Sequence, residues 1–295
     1  LLATTPEGSL EPGLATDVYY TDPTTLVVKL REGLTFWDGS ALTVDDVVFS
    51  IDKARTNETS QFLSDLASVA SVEATDATTV TIKLSEPNSL IRGMLSTSAA
   101  VVVSKASAEG NANFGLPGDT SMICSGPYML KEWTPGSKIV VEANPSWWNK
   151  GEGKQLTKQI TFSFITDPAA AVAGYESGEL DGGFLIPASS IKALQASTVG
   201  KMGFAQGSAF AAWVPVMNSD RSMSNPKLRQ ALAMSLDYAN LVDTETAGAG
   251  IPAKAVGVPG SWGNEKAAFQ EAWDALPDQV TDLEAAKKLV AESGV

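Results

Sequence analysis

Two adjacent carboxylates, Asp45 and Asp46, and a looser acidic group around Glu176, Glu179 and Asp181 are the residues whose type and spacing come nearest to chemistry in this sequence. Paired acids can divide general acid and base work, and a knot of acids can hold a hard cation. Each group also has a plainer explanation. Asp45 and Asp46 fall in the first turn of an expected helix, where the helix dipole favours negative charge. Glu176, Glu179 and Asp181 flank Ser177-Gly178, a helix stop, and lack the alternating ligand spacing of a calcium loop. Gly151-Glu152-Gly153-Lys154 has neither the spacing nor the following Ser or Thr of a phosphate loop.

Two compositional facts narrow the chemistry further. The chain contains no histidine, which removes Ser-His-Asp and Cys-His catalysis and imidazole metal sites. It contains one cysteine, Cys124, so neither an intrachain disulfide nor a thiolate cluster can form. A lone cysteine reads first as a small buried hydrophobe. No metal and no cofactor is expected. A carboxylate-based glycoside hydrolase would need two acids about 5–9 Å apart across a cleft, and nothing in the sequence singles out such a pair. With 21 basic against 34 acidic residues, the net charge of −13 disfavours a nucleic-acid partner.

These residues sit among alternating strands and helices. Thr24 to Leu30 and Thr78 to Leu84 share a period of two and a closing Lys-Leu, which predicts half-buried strands of one antiparallel sheet. Trp37-Asp38-Gly39-Ser40 reads as a tight turn with Gly39 at positive φ. Thr43 and Asp46 mark a helix start, followed by the apolar stripe Val47, Val48, Ile51 and Ala54. Lys138 to Glu142 and Gln159 to Ile165 read as strands. Asp167-Pro168 and Asn225-Pro226 each place a capping side chain before a proline at the first helical position. The second of these helices is expected to carry Leu228, Ala231, Leu232, Leu236 and Ala239, and a last helix is expected to be capped by Thr281 with Glu284. With 44% hydrophobic residues the chain can bury more than one core, so an α/β or α+β protein of more than one lobe is expected.

The order of short motifs resembles one family. Phe36-Trp37-Asp38-Gly39, Leu42-Thr43-Val44-Asp45-Asp46-Val47-Val48-Phe49-Ser50, Ser125-Gly126-Pro127-Tyr128 with Trp133, and Asn144-Pro145 with Trp147-Trp148 come in turn. Ser177-Gly178-Glu179-Leu180-Asp181, Asn218, Asn225-Pro226-Lys227-Leu228-Arg229-Gln230-Ala231-Leu232 and Ala285-Ala286-Lys287-Lys288-Leu289 follow. No single motif is specific, but their order is similar to that of the extracellular solute-binding proteins of family 5, the dipeptide, oligopeptide and nickel receptors of ABC importers.

The resemblance implies a periplasmic-binding-protein-like bilobal α/β fold of type II with an extra small domain, here an internal piece incomplete at both ends. Residues 1–122 would form the small domain, 123–218 the central part of the first lobe, and 219–295 the start of the second, with Asn218 at a hinge crossing. It implies a receptor and not an enzyme, with a small peptide-like solute and the membrane permease subunits as partners. A sugar or a metal chelate is the alternative solute, and a sensory domain of the same fold the alternative role. The location would be outside the cytoplasmic membrane, periplasmic or tethered to the cell surface as a lipoprotein. Phe210, Trp213 and Val214 are expected on a strand facing the cleft, with Phe62 reaching it from the small domain. Trp37, Trp133, Trp147 and Trp148 are expected to pack the fold. For a piece of this length, impaired solute binding is expected.

Overall fold

A computed structural model describes residues 1–6, 8–119, 121–151, 155–204, 222–262 and 265–294. The chain divides into two compact units, Leu1–Phe164 and Ile165–Val295. This division falls within the segment expected to form the middle of the first lobe, and Asn218 lies outside the described residues.

Among its described residues the first unit has three antiparallel sheets. A short hairpin joins β1 (Leu2–Thr4) to β2 (Leu10–Pro12). A four-stranded sheet has the order β3 (Ala15–Asp22), β4 (Thr25–Leu30), β6 (Thr79–Leu84), β5 (Val69–Asp76). A three-stranded sheet runs β7 (Tyr128–Thr134), β8 (Lys138–Ala143), β9 (Gln159–Ser163). Leu26, Val28, Val80 and Ile82 on the inner strands of the four-stranded sheet are wholly buried. Helix α1 (Val44–Thr56) lays Val47 and Ile51 on the same core.

The two strands that resemble each other in sequence are neighbours, and their likeness extends to whole hairpins. Residues 15–30 and 69–84 are offset by 54 positions, as from Thr25 to Thr79, and share every pairing. Val18 opposes Val28 as Val72 opposes Ile82, and both hairpins break register at the same two places. Their junction is equally symmetric. Lys29 Nζ donates to Thr79 Oγ1 and Lys83 Nζ to Thr25 Oγ1, both at 2.7 Å. Leu30 N donates to Thr78 O at 2.7 Å and Leu84 N to Thr24 O at 2.8 Å. Each turn is held by an aspartate that accepts from the second residue onward, Asp22 from Thr24 N at 2.9 Å and Asp76 from Thr78 N at 2.8 Å.

Helix α1 starts where Thr43 and Asp46 place it. Asp46 Oδ2 accepts from Thr43 N and Thr43 Oγ1, each at 2.9 Å. Its other oxygen accepts from Lys105 N at 2.9 Å, so one buried carboxylate anchors two helix starts, the second being that of α3 (Lys105–Ala108). That geometry occupies the Asp46 oxygens with capping, the plainer of the two readings. Gly39 sits at φ +86° in the expected turn, with Phe36 N donating to Ser40 O at 2.9 Å. The short helix α2 (Ile91–Met94) lies between β6 and α3.

Asn144 is the lock of the three-stranded sheet, at 0% exposure. Its Nδ2 donates to Gly126 O at 2.8 Å, its backbone N to Pro127 O at 2.9 Å, and its Oδ1 accepts from Ser146 N at 2.9 Å. Its carbonyl accepts from Trp147 N at 3.3 Å and from Gln155 Nε2 at 3.1 Å. The Gln155 amide also donates to Pro127 O.

Among the described residues the second unit is helical. Helix α4 (Pro168–Ser177) has Asp167 Oδ1 accepting from Ala169 N at 2.8 Å and ends on Gly178 at φ +77°. The acids around Gly178 therefore flank a helix stop, as the plainer reading holds. Helix α5 (Ala188–Ala196) follows. The long helix expected from Asn225 is two: α6 (Pro226–Ser235) stops at Leu236, and Asp237 caps α7 (Tyr238–Thr246). Helix α8 (Lys266–Ala275) lays Phe269 and Trp273 against Trp262, at 5.9 and 6.1 Å between ring centres. The last helix, α9 (Leu283–Ser293), is capped by Asp282 and not Thr281; Asp282 Oδ1 accepts from Ala285 N at 2.9 Å. Thr281 instead donates its hydroxyl to Leu236 O, the carbonyl left open where α6 ends. Helices α6 and α9 lie antiparallel, with Asn225 Nδ2 on Ser293 O at 3.0 Å and Asp282 N on Met234 O at 2.8 Å.

Two predictions follow from this bonding. Replacing Asn144 by Ala leaves Gly126 O and Ser146 N without their partners, at about 1–3 kcal/mol for each buried group orphaned. Urea unfolding should show a loss of about 2–4 kcal/mol, and Asn144→Asp should cost at least as much by facing a carboxylate to the Gly126 carbonyl. The second concerns acid. The Thr24 and Thr78 amide donors hold Asp22 and Asp76 below the ordinary 3.8. Groups with a depressed folded pKa contribute stability above the unfolded value and lose it as pH falls through the folded one. The stability gap between the native chain and Asp22→Asn/Asp76→Asn should therefore be open at pH 7 and close below pH 3.8; a gap constant with pH would refute the assignment.

Candidate functional site

The first unit contains an open pocket of about 660 Å³. It forms where segments far apart in sequence meet. Trp37 N donates to Cys124 O at 3.0 Å, joining the Trp-Asp-Gly turn to the strand that leads into Ser125-Gly126-Pro127-Tyr128. That same strand pairs with the segment after the 3₁₀ turn Ser98–Ala100, through a bridge between Val103 and Cys124 and Ser104 N on Ile123 O at 3.0 Å. Asn144 then fixes the Ser-Gly-Pro loop against the turn that carries Trp147 and Trp148. Backbone groups of both loops are bonded to one side chain that is itself enclosed.

The walls are aromatic and aliphatic. Trp37, Trp147, Trp148 and Tyr128 supply the ring surfaces, and Leu14, Val101, Leu130 and Val141 the aliphatic ones. Trp147 and Trp148 meet edge to face, 6.3 Å between centres and 61° between planes. Trp148 carries the Arg31 guanidinium 4.2 Å from its ring centre, and Arg31 Nε donates to Gly13 O at 2.7 Å, so the cation is held outside the cavity wall. Cys124 also lines the cavity. Burial pushes its thiol up to about 11, which leaves it protonated at neutral pH and a poor nucleophile.

Three of the hydroxyls at the wall are engaged. Ser96 Oγ donates to Gly93 O at 2.8 Å and accepts from Thr4 Oγ1 at 3.0 Å. Thr97 Oγ1 donates to Met94 O at 2.8 Å, and Tyr128 OH to Thr157 O at 3.1 Å. Among the described residues no cluster of three or more Cys, Asp or Glu is placed to hold a metal ion.

Of the residues expected to touch a solute, Phe210, Trp213 and Val214 lie outside the described residues. Phe62 is half-buried and packs against the main core, its carbonyl accepting from Leu66 N at 3.0 Å; it is not a wall of the cavity. Trp133 lies on β7 opposite Ile139. Trp148 packs against the core, as expected of the motif tryptophans, and with Trp37 and Trp147 it also walls the cavity. The signal for that second role was the recurrence of tryptophan in two of the loops bearing the motifs, but their convergence depends on a contact more than 80 residues apart in sequence, Trp37 with Cys124.

Comparison with known proteins places the chain. The family model for bacterial extracellular solute-binding proteins, family 5 middle, matches residues 9–295. The glutathione-binding protein GsiB of Escherichia coli K12 is 28% identical over 240 residues, covering 81% of this chain and 46% of GsiB. The chain thus spans about half the length of the curated relatives it matches. The oligopeptide-binding protein AppA of Bacillus subtilis, solved with a nonapeptide, superposes with a TM-score of 0.70 at 24% identity, over 99% of this chain and 57% of AppA. NikZ of Campylobacter jejuni, solved with Ni(L-His), gives 0.75 at 22% identity, over 99% and 56%. The fold is therefore the periplasmic-binding-protein-like α/β fold shared with these solved structures. From its matched span and its fold, the chain belongs to the bacterial extracellular solute-binding proteins of family 5.

Proposed function

We propose that this chain is part of a receptor that captures a peptide-like solute outside the cytoplasmic membrane and delivers it to the permease subunits of an ABC importer. The observation that carries this reading is the family match across residues 9–295. The motif segments Trp37-Asp38-Gly39, Ser125-Gly126-Pro127-Tyr128 and Trp147-Trp148 meet around one cavity, which adds a physical place for part of a solute. Apolar walls suit a ligand held mainly through its backbone and side-chain bulk.

In this reading residues 1–122 are the small domain, 123–218 the middle of the first lobe and 219–295 the start of the second. Solute is enclosed between lobes, with Phe62, Phe210, Trp213 and Val214 as further contacts, and closure is the state that the permease recognises. The receptor is periplasmic or tethered to the cell surface as a lipoprotein. Among the described residues no helix is long and apolar enough to cross a membrane. A peptide leads as solute because GsiB is named for glutathione, a tripeptide, and AppA was solved with a nonapeptide.

Thermal unfolding in the presence of di-, tri- and oligopeptides, sugars and metal chelates tests this directly. A solute present at a hundred times its Kd stabilises by about 2.7 kcal/mol through mass action alone. The expected result is a raised midpoint with one peptide class and none with sugars. A shift with a sugar or a nickel–histidine chelate and with no peptide would overturn the peptide assignment and keep the receptor.

A further inference from the structure

We infer that Asp46 and Ser50, on the buried side of α1, are positioning residues that fix three walls of the pocket from behind. This role holds whichever class of solute the receptor takes. Ser50 is 6% exposed, and its hydroxyl donates to Asp46 O at 2.7 Å and accepts from Val103 N at 3.0 Å. Two residues beyond Val103, Lys105 N donates to the Asp46 carboxylate at 2.9 Å. The helix thus grips the 103–105 segment at two points. That segment pairs with the next, Val103 opposite Cys124 and Ser104 N on Ile123 O at 3.0 Å, and Cys124 O accepts from Trp37 N at 3.0 Å. From Trp37 the chain returns to the helix through a short ladder, in which Thr35 opposes Ala41 and Leu42 N donates to Leu34 O at 3.0 Å. Thr43 then bonds Asp46.

These bonds close a ring through residues 37–50, 103–105 and 123–124. Trp37, Val102 and Cys124, which line the pocket, stand on or beside the segments so held. A serine is a poor choice for a helix interior, where its hydroxyl competes for backbone partners. Here that hydroxyl supplies an acceptor to the Val103 amide, which alanine could not. Both oxygens of Asp46 accept, one from Thr43 and the other from Lys105. An amide in its place would satisfy one of them and turn a donor toward the other. Cutting the ring at Ser50 leaves α1 with a single grip, at Lys105, and lets Cys124 and Trp37 separate more easily.

The experiment is native-state hydrogen exchange of the full chain, read amide by amide by NMR. In Ser50→Ala the amides of Ser104 and Trp37, neither of them bonded to Ser50, should exchange about tenfold faster or more. Those of Val28 and Val80, paired in the four-stranded sheet, should hold their rates. Val48→Ala is the control, since Val48 lies on the same helix and packs against the core outside the ring. It should shift all four amides alike. Asp46→Asn should repeat the Ser50→Ala pattern. Acceleration confined to Val103, or acceleration in Ser50→Ala that Val48→Ala matches amide for amide, overturns the inference. So does a loss of protection throughout the chain in both ring variants, which would make the two residues part of the scaffold and not positioning groups.

Discussion

A primary amide enclosed by protein needs hydrogen-bond partners, and at Asn144 the chain supplies one for the amide nitrogen and one for the amide oxygen from loops that would otherwise be independent. The side chain bonds Gly126 on one loop and Ser146 on the next, while its backbone continues the β7–β8 ladder one step further to Pro127. Two proline-bearing segments, neither able to complete a regular ladder because proline lacks an N–H, are thereby given fixed shapes. The cavity wall inherits its geometry from that amide. Gln155, reaching back to both the Pro127 and Asn144 carbonyls, closes the same ring of bonds from outside.

Aromatic surface and electrostatics act together at the cavity. A protein with a net charge of −13 keeps its charges on other faces and leaves one region where solvation is poor enough to raise a thiol to about 11. The indole of Trp148 serves both regimes, one part packing on the core and the ring covered by a guanidinium that helps neutralise the acidic exterior.

What the sequence disclosed followed the range over which its signals act. Caps are local, so Asp167-Pro168 and Asn225-Pro226 located two helix starts to the residue. Stops were harder: Leu236 and Ala239 continue the apolar spacing of α6, although Asp237 caps a new helix and Thr281 bonds the Leu236 carbonyl where the first one ends. Strands β4 and β6 alternate cleanly and were legible. Their partners β3 and β5 each break register twice, which shifts the inward-facing positions and destroys the period of two. The tryptophans were visible as motif residues, yet the cavity they wall is made by pairings between positions near 37, 103, 124 and 147, which no window of sequence contains.

The doubled hairpin sets the order in which the first unit can assemble. Each copy closes over two residues, Pro23-Thr24 or Ala77-Thr78, and carries its own aspartate to hold the turn, so both can form within microseconds without reference to the rest of the chain. Their docking edges, β4 and β6, are matched by the same threonine–lysine pair in both directions. The one long closure needed is the segment bearing α1, whose entropic cost grows only slowly with length. A sheet of four strands thus has the kinetic character of two short-range units meeting once, and its speed of folding is set by that single encounter and not by four separate strand searches.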